Sequence, residues 1–142
     1  VKILIINGPN LNLLGKREAI YGELTLEEIN SRIEAEAKKL GVEVDFYQSN
    51  YEGDLIDKIQ AANKHYDALI INPGGLTHYS VSLRDALATF KGKKIEVHLT
   101  NIFAREEFRR RTITGEAVDG VIAGLGPDVY LLALRALGAE NV

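Results

Sequence analysis

Five short apolar runs, separated by stretches with helical spacing, constrain the fold of this chain more than any other feature. Lys2 to Ile6, Val42 to Phe46, Ala68 to Asn72, Lys94 to Leu99 and Gly120 to Ala123 read as strands. Val42, Val44 and Phe46 alternate with polar residues, as expected of a half-buried edge strand. Thr25-Leu26-Glu27-Glu28 forms a capping box, in which the Thr25 hydroxyl takes a free helix N–H and Glu28 reaches back to the cap. Leu26, Ile29, Ile33, Ala37 and Leu40 then recur at helical steps, and Gly41 suits a left-handed stop. Asp54 to His65 reads as a second helix with Leu55, Ile59 and Ala62 inward. Ser80 to Phe90 reads as a third, with Leu83, Leu87 and Phe90 inward and a stop near Gly92. Ala104 to Arg110 reads as a short polar helix, and Pro127 opens a last helix that runs towards Gly138.

Strands that alternate with helices require a parallel sheet with right-handed crossovers and helices on both faces. The expected fold is α/β, a flavodoxin-like three-layer sandwich with a five-stranded parallel sheet of order 2-1-3-4-5. The length of 142 residues fits one domain, taken as 1–142. In such sheets ligands sit beyond the strands' C-terminal ends, beside the order reversal between strands one and three. The loops that leave those strands begin at Asn7 and Asn72, and both are unusually polar. The first loop, from Asn7 to about Leu24, is long enough to serve as a lid.

Composition narrows the function classes. A hydrophobic share of 46% and a charged share of 26% are those of an ordinary globular protein. A formal charge of -3 argues against broad nucleic-acid or membrane-surface binding, but leaves room for a local basic pocket of Arg17, Arg105 and Arg109. The absence of cysteine excludes disulfides and cysteine-metal sites, and no HExxH pattern suggests zinc. No apolar run reaches membrane-spanning length, and the opening residues read as a strand rather than a secretion signal. A cytoplasmic setting is the simplest expectation.

Several residues at the expected ligand edge carry chemistry. Tyrosine is a poor base at its ordinary pKa of about 10, but a guanidinium such as Arg17 beside Tyr21 favours phenolate, which could remove a proton next to a carbonyl. The competing reading packs the Tyr21 ring on the domain and leaves Arg17 in solvent. His98 ends the fourth strand and His78 follows the third; each can act as acid, base or donor, or make only a structural hydrogen bond. Arg105 and Arg109 would share one helix face, Arg109 holding a substrate group and Arg105 pairing with a glutamate. Asn10, Asn12, Asn72 and Asn101 can hold hydroxyls or steady an enolate oxygen, though each also suits a turn. Gly124-Leu125-Gly126 precedes a helix but lacks the full G-x-G-x-x-G pattern, so it gives a nucleotide site little support.

Asn-Gly-Pro-Asn-Leu-Asn at 7–12, Asn-Pro-Gly-Gly-Leu-Thr-His at 72–78, Glu-Val-His-Leu-Thr-Asn at 96–101 and Arg-Glu-Glu-Phe-Arg at 105–109 together resemble the type II 3-dehydroquinate dehydratases. The resemblance spans nearly the whole chain. It implies a lyase with no metal, cofactor or Schiff-base lysine, which converts 3-dehydroquinate to 3-dehydroshikimate and water by anti elimination through an enolate. The pathway would be shikimate biosynthesis or quinate catabolism. By motif, Tyr21 would be the general base with Arg17 favouring its phenolate. His98 would bind a substrate hydroxyl, oriented by Glu96, and Asn10 would hold a water that steadies the enolate oxygen. Asn72 and His78 would meet ring hydroxyls and ordered water near the leaving group. The backbone N–H groups of Leu99 and Thr100 would hold the carboxylate, and Arg109 a ring hydroxyl. His98 and a water linked to Asn72 and His78 both remain candidates to protonate the departing hydroxyl. Asp85 would come from a neighbouring subunit, within a dodecamer of four trimers. Arg-Glu-Ala-Ile-Tyr at 17–21 is shorter than the family's usual spacing, which makes Lys16 an alternative cation, and Thr100 stands where serine is common.

Two other classes compete. A non-catalytic flavodoxin-like small-molecule binding module would need acidic residues and a phosphorylatable aspartate, or a hydroxyl-rich phosphate loop, where Asn7 and Asn72 stand. A serine hydrolase built on Ser80, His78 and Asp85 would need a nucleophile elbow, and none is present.

Overall fold

A computed structural model describes residues 1–139, so the last residues of the domain expected over 1–142 lie outside the described ones. Five strands, β1 (Lys2–Asn7), β2 (Glu43–Gln48), β3 (Ala68–Asn72), β4 (Lys93–His98) and β5 (Gly120–Ala123), form one sheet. Its order is β2-β1-β3-β4-β5 and every pairing is parallel, as the alternation requires. The helices are α1 (Leu26–Leu40), α2 (Glu52–Ala62), α3 (Val81–Thr89) and α4 (Asp128–Ala139).

The apolar runs are continuous because both faces of the sheet are covered. Ile3 and Ile5 of β1 point into a core with Ile29 and Ile33 of α1 and Val129 and Ala133 of α4. Leu4 and Ile6 point the other way, against Leu55 and Ile59 of α2 and Leu83 and Leu87 of α3. Each fully buried side chain of this size contributes on the order of 1.5–3 kcal/mol. The capping box forms: Thr25 Oγ1 accepts the Glu28 N–H at 3.1 Å, and Glu28 accepts the Thr25 N–H at 3.1 Å. Gly41 adopts φ 71°, the left-handed stop.

Three expectations are corrected. The helix expected over 104–110 is absent; two single 3-10 turns, Ile102–Ala104 and Glu107–Arg109, stand there instead. Arg105 and Glu106 between them are extended, with ψ of -165° and 148°. The run offers no apolar stripe to bury, since Phe103 and Phe108 are exposed, and so short a helix is not stable without one. Leu40, expected on the inner face of α1, is 37% exposed at the helix end. Ser80 and Phe90 flank α3 as caps rather than helical residues, with Ser80 Oγ accepting the Leu83 N–H at 3.0 Å.

The long loop after β1 carries two 3-10 turns, Leu11–Leu13 and Ala19–Tyr21. Leu11 and Leu14 are buried in the α1 and α4 core, which anchors the near half of the loop. The half that carries Arg17, Ile20 and Tyr21 has no fully buried residue.

Candidate active site

Asn7 and Asn72 are direct neighbours across β1 and β3, so the two polar loops leave the sheet side by side. Their glycines let them touch. A Cβ on Gly8 would lie 2.5 Å from the Pro73 carbonyl oxygen, and one on Gly74, at φ +62°, would lie 2.9 Å from that of Pro9. Above them opens a cavity of about 210 Å³. It gathers Asn10, Arg17, Tyr21, Asn72, His78, His98, Leu99, Thr100, Arg105 and Arg109. Of the candidates named from the sequence, Glu96, Asp85, Asn12, Asn101 and Lys16 are not in its lining.

Tyr21 meets two guanidinium groups. Arg17 lies over its ring, with Cζ 3.9 Å from the centroid, so the short spacing still brings this pair together. Lys16 is exposed and outside the cleft. The phenol oxygen, however, is held by Arg105, whose Nη1 donates to it at 2.7 Å. Arg17, expected to favour the Tyr21 phenolate, covers the π face of the ring, and a second cation not expected there, Arg105, reaches the hydroxyl. Arg105 also lies 3.6 Å from Glu106, the pairing expected of it, and 3.4 Å from Thr100 Oγ1. Arg109 is steadied by the same Glu106 at 3.2 Å. Arg105 reaches the cleft from extended backbone and Arg109 from a 3-10 turn, and not from one helix face.

His98 donates from Nε2 to Glu96 Oε2 at 2.7 Å. A carboxylate only accepts, so Nε2 carries a proton in this contact, and Nδ1 is left outside it. Glu96 is fully buried, yet it is surrounded by donors. Thr77 and Thr112 hydroxyls reach Oε2 at 3.0 and 2.7 Å, and Thr114 reaches Oε1. Burial works to raise the Glu96 carboxyl, but the His98 contact with the Thr114 and Thr112 hydroxyls holds it below its ordinary value. The carboxylate thus stays charged inside the protein and fixes the imidazole.

His78 Nδ1 lies 2.7 Å from the Arg111 carbonyl oxygen, which can only accept. Its proton is therefore on Nδ1. Burial pushes this histidine down, against the opposing pull of the Arg111 carbonyl, and the neighbouring His98 and Arg109 add to the downward shift. The neutral ring keeps Nε2 as an acceptor. Asn10 sits at φ 70°, the only non-glycine residue with positive φ among the described residues, and its N–H donates to Asn50 Oδ1 at 3.0 Å. Leu99 and Thr100 line the cleft at the exit of β4.

Asp85 lies on the outer side of α3, exposed, 3.4 Å from Arg84. It does not enter its own chain's cleft. The hydrolase alternative is not assembled either: Ser80 donates to Glu52 and caps α3, while His78 is engaged by Arg111. Sequence reasoning missed the three threonines around Glu96, the Arg105 contact to Tyr21 and a buried tyrosine, Tyr130, behind Asn72. Thr112-x-Thr114 carries no periodicity that marks it, and the other contacts join distant parts of the chain.

The sequence model of the family Dehydroquinase class II matches residues 1–138. A 3-dehydroquinate dehydratase of Thermotoga neapolitana is 51% identical over 136 residues, covering 95% of this chain and 92% of that protein. A 3-dehydroquinate dehydratase of Pelotomaculum thermopropionicum is 50% identical, covering 98% and 97%. The crystal structure of a type II dehydroquinase from Butyrivibrio crossotus superposes with a TM-score of 0.95 at 48% identity, covering 96% of this chain and 97% of that one.

Proposed function

Because the chain belongs to the class II dehydroquinase family, we propose that it is a type II 3-dehydroquinate dehydratase, a hydro-lyase acting from one catalytic domain. The observation that carries the reading is the pairing, in one cleft, of a phenol held by a guanidinium with an imidazole held by a buried carboxylate.

Tyr21, as phenolate, takes the C2 proton of 3-dehydroquinate, and the C2–H electron pair moves into an enolate with the C3 carbonyl. A water on Asn10 steadies the enolate oxygen. As the enolate collapses, C1=C2 forms and the C1–O bond breaks on the opposite face. The departing hydroxide takes a proton to leave as water, and Tyr21 returns its proton to solvent for the next cycle. His98, backed by Glu96, and a water between Asn72 and His78 are the two candidate donors. The Leu99 and Thr100 N–H groups hold the carboxylate, and Arg109 a ring hydroxyl. No step calls for a metal or cofactor.

Two cations at Tyr21 support the base role, because donors aimed at an anion stabilise it without reorganising during the reaction. Arg105→Gln, which removes the donor on the phenol oxygen, is expected to lower kcat by about 10²-fold. Steady-state kinetics check it, and near-normal turnover would return the charge role to Arg17 alone.

The exposed position of Asp85, away from its own cleft, fits delivery into a neighbouring subunit's site within a homododecamer of four trimers. A cytoplasmic setting, in shikimate biosynthesis or quinate catabolism, completes the proposal. Among the described residues no helix is long and apolar enough to cross a membrane.

The test is a 3-dehydroquinate assay. Absorbance from the conjugated enone is expected to grow, unaffected by chelator or borohydride, and light scattering is expected to give the dodecamer mass. No product at any protein concentration refutes the function.

A further inference from the structure

Tyr130 of α4 is fully buried, and no step of the proposed reaction uses it. Its hydroxyl reaches across to the last residues of β1 and β3. It donates to Asn7 Oδ1 and accepts from Asn72 Nδ2 at 3.1 Å. Asn72 Oδ1 accepts the Gly74 N–H at 3.1 Å.

The direction of this chain of hydrogen bonds is set at one end. A backbone N–H can only donate, so Gly74 draws the oxygen of the Asn72 carboxamide to its side. The amide nitrogen must then face Tyr130. The phenol oxygen accepts there, and its single proton goes on to Asn7. Turning the Asn72 amide over would set N–H against N–H at Gly74. It would also require the buried phenol and the Asn7 amide to reverse together. Burial pushes the Tyr130 phenol far up, against the smaller opposing effect of Asn72, so its proton stays in place at every working pH.

Asn72 is only 4% exposed, and it lines the cleft. With one amide proton on Tyr130 and one oxygen lone pair on Gly74, a second proton and a second lone pair remain for a bound molecule. The two ends of a carboxamide have nearly the same shape and differ as donor and acceptor. What Asn72 can recognise therefore depends on which way it is turned.

We propose that Tyr130 is a positioning residue, which locks the Asn72 carboxamide in the orientation that reads the substrate's ring hydroxyl or its ordered water. This rests on the substrate contact assigned to Asn72 above.

Tyr130→Phe keeps the ring and removes the hydroxyl, leaving Asn7 Oδ1 and Asn72 Nδ2 without a partner. It is expected to lower kcat/KM roughly tenfold or more. In an Asn72→Ala background the same change is expected to alter kcat/KM by less than about twofold, because a residue that acts only through Asn72 has nothing left to act on. The Asn72 side-chain amide signal in a nitrogen-15 NMR spectrum is expected to move in Tyr130→Phe. Wild-type kinetics in Tyr130→Phe, an equal loss in both backgrounds, or an unmoved Asn72 signal would each overturn the proposal. If Tyr130→Phe does not fold, Asn7→Ala carries the test: it removes the far acceptor outside the cleft and is expected to give a smaller loss that again vanishes with Asn72→Ala. An inactive wild-type protein would instead refute the dehydratase reading, and the amide signal would still decide the orientation of Asn72.

Discussion

Tyr21→Phe is expected to lower kcat by about 10²–10⁴-fold while substrate binding changes only a few-fold. The substitution keeps the ring under Arg17 and removes only the oxygen that Arg105 holds. The lost group is thus the base itself and not the wall of the cleft. Steady-state kinetics give the first quantity, and equilibrium titration of the inactive variant with 3-dehydroquinate gives the second. The split between the two is the informative part, because a group that works mainly in the transition state lowers kcat with little change in binding. Near-normal turnover in Tyr21→Phe would remove Tyr21 from the base role, whatever the fate of the assignments around it.

Replacing Glu96 is expected to produce the other large effect, on stability as well as on rate. Glu96→Ala strips the acceptor from His98 and from three threonine hydroxyls at a site with no access to water. Breaking a buried hydrogen-bonded pair in this way costs about 3 kcal/mol or more. For a chain of this length that corresponds to a drop in Tm on the order of 10 °C, measurable by calorimetry. Glu96→Gln is milder in packing, since the threonine hydroxyls can turn to accept its amide. It removes the charge that backs His98, and kcat is expected to fall on the order of 10²-fold or more, following what loss of a buried carboxylate behind a working histidine does elsewhere. Unchanged rates in Glu96→Gln would mean that His98 needs only the hydrogen bond and not the charge.

The same carboxylate gives the protein a defined acid limit. The folded Glu96 carboxyl lies below the ordinary value of 4.5. The folded state therefore binds this proton less readily than the unfolded chain does. Its contribution to stability is present in full above about pH 4.5, and is lost as the pH falls through the lower folded value. Urea midpoints measured from pH 7 downwards are expected to fall more steeply in the wild type than in Glu96→Gln, which has no proton to take up there. Parallel curves would assign the acid sensitivity to other carboxylates.

Much of this molecule was legible before any coordinates. The five strands, their order and the cleft's place follow from patterns carried by neighbouring residues. Val42, Val44 and Phe46 marked the edge strand because alternation is a local signal, and Thr25 with Glu28 marked a helix start because both halves of the cap lie within one turn. The motifs that drew attention to Tyr21, His98 and Asn72 also lie within short segments, and the structure brings these residues into one cavity. The helix expected over 104–110 was misjudged because four-residue spacing of charges says nothing about whether an apolar face exists to hold a helix down.

Only the tertiary structure decided which groups finish the site. Arg105 reaches the Tyr21 oxygen across 84 residues, Tyr130 reaches Asn72 across 58, and Thr77 reaches Glu96 across 19. Such contacts leave no periodic trace, because each depends on how irregular loops settle on the ends of the strands. Periodicity along the chain sets which faces are buried and therefore the sheet. The direction in which a buried amide points, and the cation that meets a phenol, are set by the donors and acceptors that distant segments bring into contact once water is excluded.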